Sequence, residues 1–303
     1  MSLSPSQVEE FHSRGFLVVR GLLPAAVLKP LIADMEEIIE DAACELRNRG
    51  NIDDTHAGAP FDRRIALLTR DSGESIQGKV SFPLNLRRPI FDFLHDSRLL
   101  DAVESLVGEE IFCNPTHHVR PKLPESHLDG QGHYWVQLSP LHQDAAVLLP
   151  EADETLVVTT WIPLVDCDET NGTIRVVPGL HRGALRRHVR CPYGWQIADD
   201  EMPEEEPVSI AVRKGDVVFI HCRTPHGSGP NLSGQVRWSM DLRWNDARKP
   251  HGRPLPGLLV RSKADPSVND PATAASRHEA WIEEWRESQA DTRPRRMYRW
   301  PDA

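Results

Sequence analysis

The chain has 303 residues and a formal net charge of −10; 39% are hydrophobic and 26% charged. That balance supports a sizeable core, excludes wholesale disorder, and argues against a general nucleic-acid binder, because phosphate binding wants a basic face. No stretch approaches the roughly 18 apolar residues of a membrane span, no basic segment followed by an apolar run opens the chain, and the five cysteines lack Cys-x-x-Cys spacing. The expectation is a cytoplasmic protein with reduced thiols, folded as a single domain over residues 1–303, a monomer or a homodimer.

In chain order, Ser4-Pro5 and the early acids predict a helix start, which Arg14-Gly15 ends. Residues 16–23 read as a short buried strand. Over residues 24–47, Val27, Leu28, Leu31, Ile32, Met35, Ile38 and Ile39 recur at spacings of three and four, one apolar face of a helix that covers a sheet. Residues 48–75 are polar and read as a surface excursion, residues 76–82 as a strand or its edge, and residues 89–107 as one helix or two. A strand is predicted over residues 110–119. The connection over residues 121–136 is long and carries His127, His133, Tyr134 and Trp135. A connection of that length is more often functional than idle; Tyr134 and Trp135 either line a pocket or pin the loop.

Downstream the chain turns β-rich. Strands are predicted over residues 155–164 and 173–177, a polar excursion over residues 183–206, and a hairpin over residues 208–220. Residues 235–244 alternate: Val236, Trp238, Met240, Leu242 and Trp244 face one way, Arg237, Ser239, Asp241 and Arg243 the other. A Pro-rich irregular stretch over residues 246–271 precedes a final helix over residues 274–289. Several short strands flanked by helices predict a double-stranded β-helix, a jelly-roll barrel of the cupin kind, with a general α+β sandwich as the alternative. Helical elements occupy about 1–110, the barrel core 111–245 and an extension 246–303.

The chemistry centres on His142 and Asp144. On a strand, positions i and i+2 leave one face side by side, so an imidazole and a carboxylate there can grip one metal ion. His-x-Asp alone recurs by chance, and a site needs a third ligand. His226 completes two histidines and one carboxylate, the facial triad of non-haem Fe(II) oxygenases, which leaves coordination positions open. Arg237 lies 11 residues further on, on the polar face of the last strand. A guanidinium there is a permanently charged, bidentate partner for the distal carboxylate of a 2-oxo acid. Ser239 faces the same way, and Ser228 can add a hydrogen bond from the His226 loop.

Leu141-His-Gln-Asp-Ala, Trp161, Asn171-Gly-Thr-Ile-Arg-Val-Val-Pro-Gly-Leu-His181, Pro225-His-Gly-Ser228-Gly-Pro-Asn231-Leu-Ser233 and Arg237 together resemble the phytanoyl-CoA dioxygenase family. Phe11-His-Ser-Arg-Gly-Phe-Leu-Val-Val-Arg-Gly-Leu-Leu is similar to that family's start, and the resemblance runs from about residue 5 to 245. It implies an Fe(II)- and 2-oxoglutarate-dependent oxygenase with His142, Asp144 and His226 on iron. Arg237 and Ser228 would hold the co-substrate's carboxylate, and Trp161 would lie beside it. Lys79 falls where the family often carries a co-substrate lysine, and His117 is assigned to the same pocket. The resemblance further implies O₂ consumption, release of succinate and CO₂, and hydroxylation of an unactivated C–H of a small molecule; desaturation, cyclisation or epimerisation are alternative outcomes. Relatives that transfer chlorine lack the carboxylate, so Asp144 favours oxygen transfer. Two readings compete: a non-catalytic barrel that binds metal and 2-oxoglutarate as a sensor or interaction module, and a cupin-like protein with another metal, which would have no need of Arg237. No basic cluster for the phosphates of coenzyme A is visible.

Overall fold

The computed structural model describes residues 2–80, 86–127, 139–192 and 194–300. Helix α1 (Pro5–Arg14) starts at a capping box, in which Ser4 accepts from the Gln7 N–H and Gln7 reciprocates. Gly15 ends it with φ of 77°. Strand β1 (Phe16–Val19) and helix α2 (Ala25–Asn48) follow as expected, with Leu28, Leu31, Met35 and Ile39 buried.

Two expectations fail here. The excursion over residues 48–75 contains helix α3 (Phe61–Ser72), in which Ile65 and Leu68 are buried among charged neighbours. Five charged residues in the twelve-residue helix mask its apolar face in a composition-based reading. Residues expected to form a strand from 76 begin helix α4 (Gln77–Val80), whose buried Gln77 and Val80 share the i, i+3 face. Helices α5 (Arg88–Leu94) and α6 (Ser97–Val107) divide the next helical stretch; Asp96 caps α6 by accepting from Arg98 and Leu99 N–H groups.

The remaining strands are β2 (Ile111–Lys122), β3 (Ser139–His142), β4 (Val158–Pro163), β5 (Ile174–Val176), β6 (His188–Cys191), β7 (Gly194–Ile197), β8 (Val208–Ser209), β9 (Val217–His221), β10 (His226–Ser228), β11 (Arg237–Asp246) and β12 (Leu258–Arg261), followed by helix α7 (Ala274–Ala290). They form a six-stranded sheet in the order β1-β9-β4-β11-β2-β12 and a four-stranded sheet in the order β3-β10-β5-β8, with antiparallel pairing throughout. Two such sheets flanked by helices are a jelly-roll barrel. The polar excursion over residues 183–206 holds the separate β6-β7 hairpin.

The expected hairpin over residues 208–220 is a crossover instead: β8 belongs to the smaller sheet and β9 to the larger. Asp216 turns the chain between them, its carboxylate accepting from the Arg213 and Gly21 N–H groups. The stretch beyond residue 246 is not wholly irregular either, because β12 adds an edge strand beside β2.

Strand β11 is buried on both sides for the reason its alternation predicts. Trp238 stacks on Phe61 with centroids 4.4 Å apart and donates its indole N–H to the Phe61 carbonyl; Trp244 donates to Thr160. Its polar side chains turn the other way, into the space between the two sheets.

Gly15 ties α1 to that space. Its carbonyl accepts from the Thr224 hydroxyl at 2.6 Å, and Thr224 in turn accepts from His226 through its carbonyl at 2.9 Å. A Cβ on Gly15 would lie 2.4 Å from the His181 ring and 2.5 Å from Thr224. Gly15→Ala is therefore expected to cost about 1–3 kcal/mol, combining left-handed strain with the clash. Chemical denaturation would read this as a lower midpoint at unchanged slope.

Candidate metal centre

The smaller sheet builds the centre. His142 ends β3 and His226 begins β10, and the two are direct partners in the ladder, with ring centroids 4.4 Å apart. Each ring has one nitrogen fixed by a carbonyl: His142 Nδ1 lies 2.8 Å from the Pro140 oxygen and His226 Nδ1 2.9 Å from the Thr224 oxygen. A carbonyl only accepts, so each Nδ1 carries the proton and each Nε2 presents a lone pair. Both Nε2 atoms point at Asp144, at 3.8 and 3.7 Å from its carboxylate oxygens. One ligand atom from each of the three lies within 4.8 Å of the others, the single such group of metal-binding side chains among the described residues. The donor set, two neutral-imidazole nitrogens and a carboxylate on one side of a cavity, suits a divalent ion with open positions.

The carboxylate is held before any metal arrives. Thr159 donates to Asp144 Oδ2 at 2.5 Å and Arg243 donates to Oδ1 at 2.5 Å. Burial opposes ionisation of Asp144, but Arg243 and the two imidazoles outweigh it and hold the carboxyl well below its ordinary range. Burial, with His226 beside it, pushes His142 down to about 3, so its ring is neutral. Gln143, between the ligands, is fully buried: its N–H donates to His188 Nε2, its amide donates to the Arg223 carbonyl, and its oxygen accepts from the Arg186 N–H. Three fixed bonds on one residue hold the turn that aims its two neighbours.

The larger sheet supplies the opposite wall. Arg237, Ser239 and Asp241 on β11 pair directly with Lys122, Arg120 and His118 on β2. Directly opposed residues share a face, and Arg120, Arg237 and Asp241 of these rows line one cavity with His142, Trp161, His226, Ser228 and Arg243. Arg237 donates to Ser239, lies 5.5 Å from the Trp161 ring centre, and has a buried Nε with no hydrogen-bond partner among the described residues. Burial lowers it to about 10, which leaves it cationic at neutral pH. Lys122 is buried and donates to the Ser228 hydroxyl at 2.6 Å and the Gly229 carbonyl at 2.5 Å. Burial, with Arg237 and Arg120 nearby, depresses it far below the ordinary lysine range. Arg237 and Lys122, side by side with hydrogen bonds that go only to neutral groups, make a cradle of donors that an incoming carboxylate would satisfy.

Of the residues singled out from sequence, His142, His226, Trp161, Ser228 and Arg237 line this cavity, Asp144 joins the two histidines at its edge, and Ser239 reaches it through its hydrogen bond with Arg237. Lys79 does not. It stands half-exposed on α4, ion-paired with Glu45 of α2. Lys122 occupies the buried position beside Arg237 that was expected of it, so Lys79→Ala should leave 2-oxoglutarate binding unchanged by calorimetry. His117 is also displaced from its expected role: its Nδ1 bonds the Asn114 carbonyl, and it is not among the residues lining the cavity. Its neighbour His118 has the register position opposite Asp241. Tyr134, Trp135 and most of the connection that carries them lie outside the described residues. A larger cavity of about 420 Å³ lies between α5, α6, β12 and α7, away from the triad. Its Arg88, Arg261 and Arg277 are engaged by Asp92, by Asp101 and Glu104, and by backbone carbonyls.

Comparison with known proteins agrees with this geometry. The sequence profile of phytanoyl-CoA dioxygenase (PhyH) matches residues 11–239. Peroxisomal phytanoyl-CoA dioxygenase of Mus musculus is 35% identical over 256 residues, covering 81% of this chain and 69% of that protein. The non-heme monooxygenase ThoJ superposes with a TM-score of 0.55 at 20% identity, over 93% of this chain and 99% of its own. EctD from S. alaskensis, solved with 2-oxoglutarate and 5-hydroxyectoine, superposes with a TM-score of 0.54 at 16% identity, over 82% of this chain and 77% of its own. No described helix is long and apolar enough to cross a membrane. The extent of the profile match and the mouse relative's identity establish that the chain belongs to the phytanoyl-CoA dioxygenase family of Fe(II)- and 2-oxoglutarate-dependent oxygenases.

Proposed function

We propose that the protein hydroxylates an unactivated C–H of a small molecule, using Fe(II), 2-oxoglutarate and O₂. The observation that carries this reading is the shared cavity: a two-histidine, one-carboxylate triad at one end and the Arg237–Lys122–Ser228 cradle on its wall. When bound at the triad, iron supplies the redox chemistry that couples oxidative decarboxylation of a 2-oxo acid, to succinate and CO₂, with transfer of an oxygen atom.

The protein's own residues do the positioning. His142 and His226 offer unprotonated Nε2 atoms because their Nδ1 protons are held by Pro140 and Thr224. Asp144 offers an ionised carboxylate because Arg243 and Thr159 favour that form. Arg237 and Lys122 bind the distal carboxylate of the co-substrate, Ser239 orients the guanidinium, and Trp161 walls it from bulk water. With water excluded, these charge-assisted bonds are stronger than they would be at the surface. EctD, of the same fold, was solved with 2-oxoglutarate and 5-hydroxyectoine, a hydroxylated small molecule, which supports the same co-substrate here.

The test is an anaerobic visible spectrum. Adding Fe(II) and then 2-oxoglutarate should produce a weak charge-transfer band that requires both and is absent in His226→Ala. Folded, iron-loaded protein that shows no band and no affinity for 2-oxoglutarate would reduce the protein to a binding barrel. Succinate release across a panel of small molecules then identifies the substrate.

A further inference from the structure

Building on the oxygenase reading, we infer that Arg120 forms a second anion site in the cavity, one that takes a carboxylate of the primary substrate. Arg120 is on β2, directly opposite Ser239 and two residues from Lys122. Two residues on a strand span about 7 Å, so Arg120 is displaced along the wall from the Lys122–Arg237 cradle. Its side chain is one-third exposed, whereas Arg237, Arg243, Asp144 and Asp241 are buried. It therefore occupies the solvent-accessible end of a charged chain. Arg120 Nε donates to Asp241 Oδ1 at 2.7 Å, Asp241 Oδ2 accepts from Arg243 Nη1 at 3.0 Å, and Arg243 Nη2 donates to Asp144 Oδ1 at 2.5 Å.

Charge accounting points to an anionic occupant. Three guanidinium groups lie on this wall, Arg120, Arg237 and Arg243, against two buried carboxylates, Asp144 and Asp241; Lys122, whose charged form burial disfavours, is left out of the count. Glu125, exposed in the turn that follows β2, is the next acid along the chain and lies outside this wall. A divalent metal and a doubly charged 2-oxo acid add nothing to the balance, so positive charge remains in excess. Arg243 is committed between two carboxylates. Arg237 and Lys122 face the co-substrate's distal carboxylate, and its other carboxylate belongs to the metal. Both acid groups of the co-substrate are thereby accounted for. Arg120, whose hydrogen bond among the described residues is the single Nε contact to Asp241, keeps the rest of a planar donor edge for another molecule. The small excess of charge favours a monoanionic carboxylate over a phosphate dianion.

Calorimetry tests this on the full chain loaded with Ni(II), which does not turn over, and saturating 2-oxoglutarate. The probes are phenylacetate, 3-methylbutanoate and N-acetylglycine, each against its primary amide. At least one acid should bind ten-fold or more tightly than its amide. Arg120→Gln should abolish that preference and Arg120→Lys retain part of it, both with 2-oxoglutarate affinity unchanged, which also shows that the variants are folded. The inference is overturned if no acid binds, if acid and amide bind alike, if Arg120→Gln keeps the preference, or if Arg120→Gln loses 2-oxoglutarate instead, which would assign Arg120 to the co-substrate. Failure of the wild type to bind 2-oxoglutarate at all would sink the oxygenase reading, a separate result seen before any probe is added.

Discussion

Arg237→Ala is expected to weaken 2-oxoglutarate binding by about 100-fold or more while leaving metal affinity within about two-fold. The guanidinium is buried, its Nε is unpartnered among the described residues, and its neighbours Ser239 and Trp161 orient it without neutralising it. Truncating one member of a buried, hydrogen-bonded charge pair costs about 2–5 kcal/mol, which is roughly 30- to 5,000-fold. Metal affinity is spared because the nearest ligand-contacting cation is Arg243, not Arg237. Lys122→Met should act in the same direction by a smaller factor, since Arg237 remains. The double variant is informative. If both side chains hold one carboxylate, their effects are non-additive, because either alone still leaves the carboxylate a partner. Calorimetric titration of 2-oxoglutarate into Ni(II)-loaded single and double variants measures the coupling directly. Additive effects would mean that Lys122 serves Ser228 and the backbone, and not the co-substrate.

The triad was legible in the sequence because its chemistry is demanding. A two-residue strand spacing puts an imidazole and a carboxylate on one face, and only a third donor makes that a site, so His226 had a reason to be sought. The alternation over residues 235–244 likewise revealed which side of β11 would be polar. What stayed hidden depended on pairing between distant strands. Lys122, Arg120 and His118 alternate on β2 just as their partners do on β11, but nothing local says that these two rows face each other. Without that register, the family resemblance points to Lys79, which α4 turns to the surface and Glu45. The same limit explains the misread crossover. Residues 208–220 have two β-rich runs and a Gly-Asp turn, the local signature of a hairpin. Only the competition among strands for partners sends β8 to one sheet and β9 to the other. Helix α3 is hidden for a local reason as well: five charged residues mask its apolar face, and the burial of that face comes from neighbours, including Trp238 on Phe61, that lie far away in the chain.

Arg243→Met tests how the metal ligand is held. Arg243 is buried and bridges two buried carboxylates, Asp144 and Asp241, and it also donates to the Thr116 carbonyl at 2.8 Å. Its removal leaves Asp144 with Thr159 and the imidazoles, and Asp241 with the one-third-exposed Arg120. Breaking a buried pair from one side costs about 3–5 kcal/mol, because the remaining charge is uncompensated. Methionine preserves much of the volume, so the loss is electrostatic and not a cavity effect. Urea denaturation of metal-free protein should therefore show a drop of that size. The sign then reverses on adding metal. A divalent cation replaces the missing positive charge beside Asp144, and a ligand that binds only the folded state stabilises it by about 2.7 kcal/mol at one hundred times its dissociation constant. Ni(II) should thus recover a larger share of stability in Arg243→Met than it adds to the wild type. Thr159→Val, which removes a neutral hydrogen bond from the same carboxylate, is the control: a loss of about 1–3 kcal/mol with no special rescue by metal. If Arg243→Met is destabilised equally with and without Ni(II), the arginine is a structural strut between strands, and Asp144 takes its geometry from the turn around Gln143 alone.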